Sequence, residues 1–434
     1  MNFCGFSISS VRYPTPADGW IDGVYHKRVS ERARADVIPA DGGGICLSCR
    51  HWREKEETGW GVYDYVEAPE LSFSSGLTDF SVKARFYNPA NAEIPVRALI
   101  NDVPTLFGAV LAPESETELS FTAASVYETS RIVFYVPDES VADRESAEWR
   151  ELILLSIETE SLPMREAAVK PTVFLVSDST VQTYDPYYYP QTGWGEVLYK
   201  YFKDPDFVSE YKPEGSSYSH CRAYELPEVV IENRSIGGRS SLSFYLEGKC
   251  TEMLLRVKTG DTVLIQFGHN DSTKARPNRY VAIPEYKECL RLHIRAVRAR
   301  GAVPVLVTPV MRRNYDEAND AFTLSFPEHR EAMLELAAEE SAVLLDLGKR
   351  SHEICTEIGG EGTKALFLWT SPDVYSGAYK NGSTDSTHLQ RRGALIFAGA
   401  VAELIAVEPR LAAISRLLDQ DKNYRDYFPN GEKQ

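Results

Sequence analysis

Four short segments of this chain carry side chains that could do chemistry together. Ser177-Asp178-Ser179-Thr180 places hydroxyls and a carboxylate directly after the apolar run Val173-Phe174-Leu175-Val176. Asn233-Arg234-Ser235-Ile236-Gly237-Gly238-Arg239-Ser240-Ser241 holds a glycine pair, and Gly268-His269-Asn270-Asp271 closes a second apolar run. Far downstream comes Asp385-Ser386-Thr387-His388. A serine hydroxyl is a poor nucleophile until a neighbouring base takes its proton. A carboxylate three residues before a histidine can accept its Nδ1–H and leave Nε2 facing that hydroxyl. Paired glycines let a backbone approach a ligand and expose an N–H, and an asparagine at a strand end can aim its amide at a developing oxyanion. Taken together, Ser179, His388 and Asp385 are a candidate nucleophile, base and orienter, with oxyanion donors at hand. That is the chemistry of a hydrolase working by acyl transfer.

Each segment has a plainer reading by itself. The hydroxyl loop could cradle a phosphate, and Gly237-Gly238 could be a tight turn without a ligand. Asn270 could close an Asx turn. Asp385 and His388 could be a surface carboxylate and a histidine leading into a helix. A flavodoxin-like phosphate or nucleotide binder would use 177–180, but it leaves Asp385 and His388 without a role. A carbohydrate-binding protein that has lost catalysis has no need of the complete serine, aspartate and histidine set.

The elements that must position these loops follow from hydrophobic periodicity. After Pro171 the apolar runs 172–176, 228–231, 262–267, 303–307 and 342–347 predict strands buried on both faces. Between them, 284–300 places Tyr286, Leu290, His293, Ile294 and Val297 on one helical side; 327–340 and 393–407 read as further helices. This alternation predicts an α/β fold, a three-layer α/β/α domain on a parallel five-stranded sheet, with ligands outside the carboxyl ends of its strands. Before residue 160 the pattern differs. Phe80 to Tyr87 and Arg131 to Val136 alternate, 152–157 is apolar, and Asn88-Pro89 and Asn101-Asp102 read as turns. An all-β sandwich is expected there, with the acidic stretch 140–149 as its one helical candidate. The boundary falls in 164–170, giving domains 1–163 and 171–434.

In this order the four loops resemble blocks I, II, III and V of the SGNH (GDSL-type) hydrolases. They are most similar to the rhamnogalacturonan acetylesterase-like branch, and Thr192-Gly193-Trp194-Gly195 strengthens the likeness. The resemblance covers residues 170–408. It implies Ser179 as nucleophile, His388 as base and Asp385 as its orienter. The oxyanion donors it implies are the backbone N–H groups of Ser179 and Gly238 and the side chain of Asn270. It implies no metal and no organic cofactor. The implied substrate is an acetylated oligosaccharide, pectic in kind, with acetylated xylo-oligosaccharides as the near alternative. Candidate substrate contacts are Trp194, Arg239, His269 and, from the aromatic segment 184–190, Tyr187. One position departs from the pattern: the family has glycine two places before the nucleophile, and this chain has Ser177. A serine tolerates fewer backbone conformations, so the geometry of that loop is in question. The N-terminal strands look similar to galactose-binding-like jelly rolls. Trp20, Trp52 and Trp60 would there either stack on sugar rings or fill the core.

Bulk properties narrow the setting. The net charge, 47 − 63 = −16, argues against a general nucleic-acid or anionic-membrane binder. No apolar run approaches the roughly 20 residues needed to span a bilayer, and the first ten residues lack the pattern of a secretory leader. Seven cysteines, an odd number, show no disulfide framework spacing; Cys46 and Cys49 form a C-x-x-C without a second pair. A cytoplasmic enzyme acting on imported oligosaccharides is expected, and self-association into a homo-oligomer is compatible with the sequence.

Overall fold

The computed structural model describes residues 44–55, 62–276 and 278–429, together with the backbone of the short strands Ser7–Ser9, Gly19–Ile21, Val24–His26 and Val37–Pro39. Trp60, the side chain of Trp20 and, of the first ten residues, all but the Ser7–Ser9 backbone lie outside this set. The chain forms two compact units. One is 1–164 together with 243–256; the other is 165–242 together with 257–434. The segment 243–256 thus belongs to the first unit although it lies within the C-terminal stretch, so a cut at 164 does not by itself separate the two.

The first unit is a sandwich of antiparallel sheets. One has the order Ser7–Ser9, Glu70–Ser74, Thr129–Tyr135, Ile94–Ile100, Val103–Leu111; the other runs Ser115–Ala124, Asp79–Asn88, Arg150–Ser161, Ile45–Lys55, Val37–Pro39. Successive side chains of a strand point to opposite faces. Along Asp79–Asn88 this buries Phe80, Val82, Ala84 and Phe86 while Lys83, Arg85 and Tyr87 stay outside. Phe86 meets Phe134 edge to face at 5.1 Å between ring centres. Trp52 is buried and stacks on Tyr65 at 5.1 Å, so it fills space rather than offering a face to a sugar. Residues 140–149 form turns, not the helix expected. The Asp143 side chain accepts hydrogen bonds from the backbone N–H and hydroxyl of Ser146, and Asp138 does the same for Ser140. Such local bonds compete with a helix for the backbone donors. Cys46 and Cys49 lie on the strand Ile45–Lys55 rather than in a loop. Burial pushes their thiols up to about 11 and about 12, which keeps them protonated and unreactive.

The second unit is built on one sheet. Its order is Ser209–Tyr211, Arg222–Glu225, Val230–Asn233, Thr172–Val176, Thr262–Ile265, Val303–Val307, Val343–Leu345. The last five are mutually parallel, as expected. The first two add antiparallel at one edge, so the sheet has seven strands rather than five. Ser209–Tyr211 is fully exposed and carries no apolar run, which is why periodicity does not reveal it.

Alternation along the strands sorts side chains into two layers. Val173, Leu175, Leu264, Val305, Val307, Val343 and Leu345 share a core with the helix Arg391–Val407. Phe174, Val176, Val263, Ile265 and Leu306 are equally buried but lie outside that core, on the opposite face. The helices Ile283–Arg298 and Pro327–Glu339 neighbour each other, and Lys287 bridges to Glu335 and Glu339. The first buries Tyr286, Leu290, His293, Ile294 and Val297, the side read from the sequence. Helix Leu347–Thr363 pairs instead with Arg391–Val407. In chain order the parallel strands stand 2-1-3-4-5. Their order reverses at Thr172–Val176, and a crevice at such a switch point is where open α/β sheets bind ligands. Among the described residues no helix is long and apolar enough to cross a membrane.

Candidate active site

The loop after Thr172–Val176 leaves the sheet at that switch point as a tight turn. Asp178 is fully buried, and its Oδ1 accepts the backbone N–H and the hydroxyl of Thr180, both at 2.9 Å. Its Oδ2 stands 3.4 Å from His269 Nδ1, an ion-pair distance rather than a formed hydrogen bond. Burial pushes the Asp178 carboxyl up. The charge of His269 and the bonds from Thr180 outweigh that and hold it below the usual range. The turn tied down by Asp178 presents Ser179 to the cleft.

Ser177 fits without strain. Its φ lies outside the left-handed region that favours glycine. Its hydroxyl donates to the Gln266 carbonyl oxygen at 2.5 Å, and Gln266 Nε2 donates to the hydroxyls of Thr180 and Ser177 at 2.9 and 3.3 Å. The extra oxygen therefore joins a buried network where unpaired polar atoms would be costly. Gln266 Oε1 in turn accepts Trp194 Nε1–H at 3.1 Å. Trp194 is 1% exposed, so the substrate contact expected of it is corrected to a packing role beneath this loop. Gly193, before it, leaves room for the Gln182 carbonyl, which a Cβ would meet at 2.2 Å.

Asp385 and His388 come from the strand Ser383–Leu389, paired with Phe367–Thr370. The register jumps there: Leu389 faces Phe367, yet Asp385 faces the next residue, Leu368. Residues 386–388 therefore bulge out of the ladder, a device that redirects side chains beside active sites. Asp385 Oδ1 accepts the backbone N–H of Thr387 at 2.7 Å and of His388 at 3.1 Å, closing the bulge. Its Oδ2 lies 2.6 Å from His388 Nδ1, and His388 Nε2 lies 2.9 Å from Ser179 Oγ. Burial would raise the Asp385 carboxyl, but the hydrogen bond and charge of His388 hold it down at about 2. It is ionised at neutral pH and accepts the Nδ1–H, which leaves the Nε2 lone pair for the serine proton.

Ser179, Gly238, Asn270 and His388 line one cleft of about 470 Å³. The backbone N–H groups of Ser179 and Gly238 have no protein acceptor among the described residues. Gly238 adopts φ +80°, a conformation that L side chains rarely take. Asn270 Nδ2 donates to the Arg239 carbonyl oxygen at 3.0 Å, which leaves its second N–H. Arg279 Nη1 donates to Asn270 Oδ1 at 3.3 Å; a guanidinium only donates, so it fixes which way the amide faces. Removing that amide should be visible. Asn270→Ala is expected to lower kcat on an aryl acetate by about 10²–10³ with a much smaller change in KM. Steady-state kinetics showing less than a tenfold fall would remove Asn270 from the oxyanion site.

The remaining expected contacts divide. His269 lines the cleft. Arg239 folds back so that Nη1 donates to the Gly237 carbonyl oxygen at 2.8 Å, and Tyr187 is exposed outside the lining. The sequence reading missed Arg276, Arg279 and Arg312, which do line it. No periodicity marks them; Arg276 and Arg279 flank the loop after Asn270, the one signal that could have found them. Just behind this loop, burial pushes the Asp271 carboxyl up to about 7. Its Oδ1 accepts the backbone N–H and hydroxyl of Ser241, so it braces the glycine loop against the asparagine loop. Among the described residues no cluster of side chains could hold a metal ion.

Comparison with known proteins places the chain in a family. Residues 193–393 match the GDSL-like lipase/acylhydrolase family. The chain is 34% identical over 232 residues to the probable rhamnogalacturonan acetylesterase YesY of Bacillus subtilis, covering 53% of this chain and 90% of that one. It is 33% identical over 231 residues to the rhamnogalacturonan acetylesterase RhgT of the same organism, covering 53% and 88%. The solved structure of Bacillus subtilis YxiM aligns over 82% of this chain and 87% of its own, at 21% identity and a TM-score of 0.43. The chain belongs to the GDSL-like, or SGNH, lipase/acylhydrolase family and is an esterase.

Proposed function

We propose that this esterase removes O-acetyl groups from pectic saccharides of the rhamnogalacturonan type through an acyl-enzyme on Ser179. The observation that carries the reading is the relay of 2.6 and 2.9 Å contacts from Asp385 through His388 to Ser179, opening on a cleft with uncommitted N–H donors. The substrate class rests on a chain one third identical to proteins named rhamnogalacturonan acetylesterases over most of their length.

In the first step Ser179 Oγ bonds to the acetyl carbonyl carbon while His388 Nε2 takes its proton. The carbonyl electron pair moves to oxygen, where the N–H groups of Ser179 and Gly238 and the Asn270 amide receive it. Collapse breaks the ester C–O bond, and His388 returns the proton to the departing sugar oxygen. A water then attacks the acetyl group, giving one proton to His388, and acetate leaves as Ser179 recovers its hydrogen. The cleft size suits a small polar ligand, within the roughly 300–1,000 Å³ of ordinary sites. Among the described residues its lining is serine, glycine, histidine, asparagine, threonine, arginine and aspartate, with no aliphatic or carbocyclic aromatic side chain. Such walls offer nothing to a long acyl chain and suit a hydroxyl-rich one.

Acetate release from acetylated rhamnogalacturonan oligosaccharides, acetylated xylo-oligosaccharides and an octanoyl aryl ester tests the reading. The pectic substrate is expected to have the highest kcat/KM and the octanoyl ester the lowest. Faster turnover of the xylo-oligosaccharide would replace the substrate class, and faster turnover of the octanoyl ester would replace the carbohydrate reading altogether.

A further inference from the structure

The three oxyanion donors sit on three loops, so whatever ties those loops together sets the spacing of the donors. Asp271 joins the asparagine loop to the glycine loop through Ser241. The Ile236 N–H donates to the Ser177 carbonyl oxygen at 3.0 Å, which joins the glycine loop to the serine loop. The third side of the triangle runs from the serine loop to the asparagine loop. Gln266 spans it at the strand end, through Ser177 and Thr180. Nearer the reacting groups stand Asp178 and His269, one place before Ser179 and one place before Asn270.

Asp178 is 0% exposed and His269 3%. Thr180 fills Asp178 Oδ1, but Oδ2 is buried and accepts no hydrogen bond among the described residues. Both ring nitrogens of His269 are likewise buried without a hydrogen-bond partner. The backbone of His269, by contrast, is held from three sides. Its carbonyl oxygen accepts the hydroxyls of Ser272 and Thr273 at 3.2 and 2.9 Å and an N–H of Arg312 Nη2 at 3.3 Å. The ring packs edge-on to Phe326, 4.6 Å between centres. With both nitrogens buried, it presents no acid or base to a substrate. Its Nδ1 does face Asp178 Oδ2, at 3.4 Å. That gap is about 0.5 Å longer than an ordinary N–H···O bond.

Buried polar atoms left unpaired are costly, and closing this one gap pairs two of the three. Hydrogen bonds that serve catalysis are often long in the resting enzyme and tighten as the transition state forms. We propose that His269 is a positioning residue. Its Nδ1–H closes onto Asp178 as the oxyanion develops, drawing the serine and asparagine loops together. The Ser179 N–H and the Asn270 amide then converge on one oxygen. The carboxylate keeps the ring proton on Nδ1, as Asp385 does for His388. A contact that tightens only in the transition state raises kcat and leaves substrate binding alone. The proposal rests on the acyl-enzyme reading of Ser179.

Kinetics of the full-length enzyme on an aryl acetate test it. His269→Ala is expected to lower kcat about 10- to 100-fold, the worth of a hydrogen bond to a charged group, with KM nearly unchanged. His269→Asn places an amide N–H where Nδ1–H stood and should recover most of that loss. His269→Gln reaches the Nε2 position instead and should recover less. Binding of an alkylboronic acid, whose adduct with Ser179 is a tetrahedral anion, should weaken in step with kcat, while inhibition by acetate stays as in the wild type. If the alanine variant does not fold, the asparagine and glutamine variants carry the comparison. A rise in KM at unchanged kcat would make His269 a substrate contact, and asparagine no better than glutamine would reduce it to packing. Either result overturns the proposal and leaves the esterase reading standing, because Ser179→Ala tests that separately.

Discussion

The Ser179→Ala variant is expected to lose about 10⁴–10⁶-fold in kcat on an acetyl ester while its melting temperature stays within a few degrees of wild type. The loss is large because no second group in the cleft can form the acyl-enzyme. Thr273 and Thr387 also line it, but among the described residues the only hydroxyl within hydrogen-bond reach of His388 Nε2 is that of Ser179, at 2.9 Å. The stability is spared because, among the described residues, the Ser179 hydroxyl hydrogen-bonds only His388. Asp178 closes the turn through Thr180, and Tyr184 bonds the Ser179 carbonyl oxygen at 2.7 Å, which alanine retains. Acetate release measured alongside thermal unfolding checks both halves. Activity within tenfold of wild type would mean that the Ser179–His388 contact is not the catalytic one.

The second large effect is expected from Asp385→Asn, a change of one atom in size. Asp385 Oδ1 accepts two backbone N–H groups at 2.7 and 3.1 Å, so the corresponding position in asparagine must remain the oxygen. The new amide nitrogen then faces His388 Nδ1 and donates to it. That forces the proton of the neutral ring onto Nε2, where it points at Ser179 and cannot accept the serine hydrogen. A loss of about 10⁴ in kcat is expected, the usual cost of the wrong tautomer. The backbone bonds that close the bulge survive, so the fold should be unchanged. Asp385→Ala removes those bonds as well and should also lower the melting temperature, a contrast that separates the tautomer from the scaffold. If Asp385→Asn keeps more than a tenth of wild-type kcat, the orienting role is wrong.

Much of this was readable before any coordinates. The continuous apolar runs at 172–176, 262–267 and 303–307 became buried parallel strands because helices cover both faces of such a sheet. The alternation of 80–87 became a sandwich strand for the matching reason, since one of its faces meets the core, whereas along Thr129–Tyr135 Val133 and Tyr135 are buried as well as Ile132 and Phe134. The antiparallel edge, Ser209–Tyr211 with Arg222–Glu225, was not readable: an exposed edge strand needs no apolar face, so nothing periodic announces it. The acidic stretch 140–149 misled for another reason. Its charges look helical in a window, but the nearest backbone donors are taken by Asp138 and Asp143.

The site divides along the same line. Residue type and order alone determined which groups could be nucleophile, base, orienter and oxyanion donors, because that chemistry depends on what a side chain is and on the strand end it follows. Tertiary structure alone decided where they point. The bulge at 386–388 brings His388 onto Ser179, from which it is 209 residues away in sequence. Packing placed Trp194 in the core beneath the serine loop and left Tyr187 outside the cleft, two aromatic residues a sequence cannot tell apart. It placed Arg276, Arg279 and Arg312 around the reacting groups, from two loops with no shared pattern. Ser177 shows the division at one residue. Its departure from glycine was visible in the sequence. Its harmlessness was not, because that depends on a φ outside the left-handed region and on Gln266, a partner supplied by the neighbouring strand's end. Local sterics and hydrophobic period are set over a few residues. The direction of a side chain at a strand end is set by what the rest of the chain packs around it.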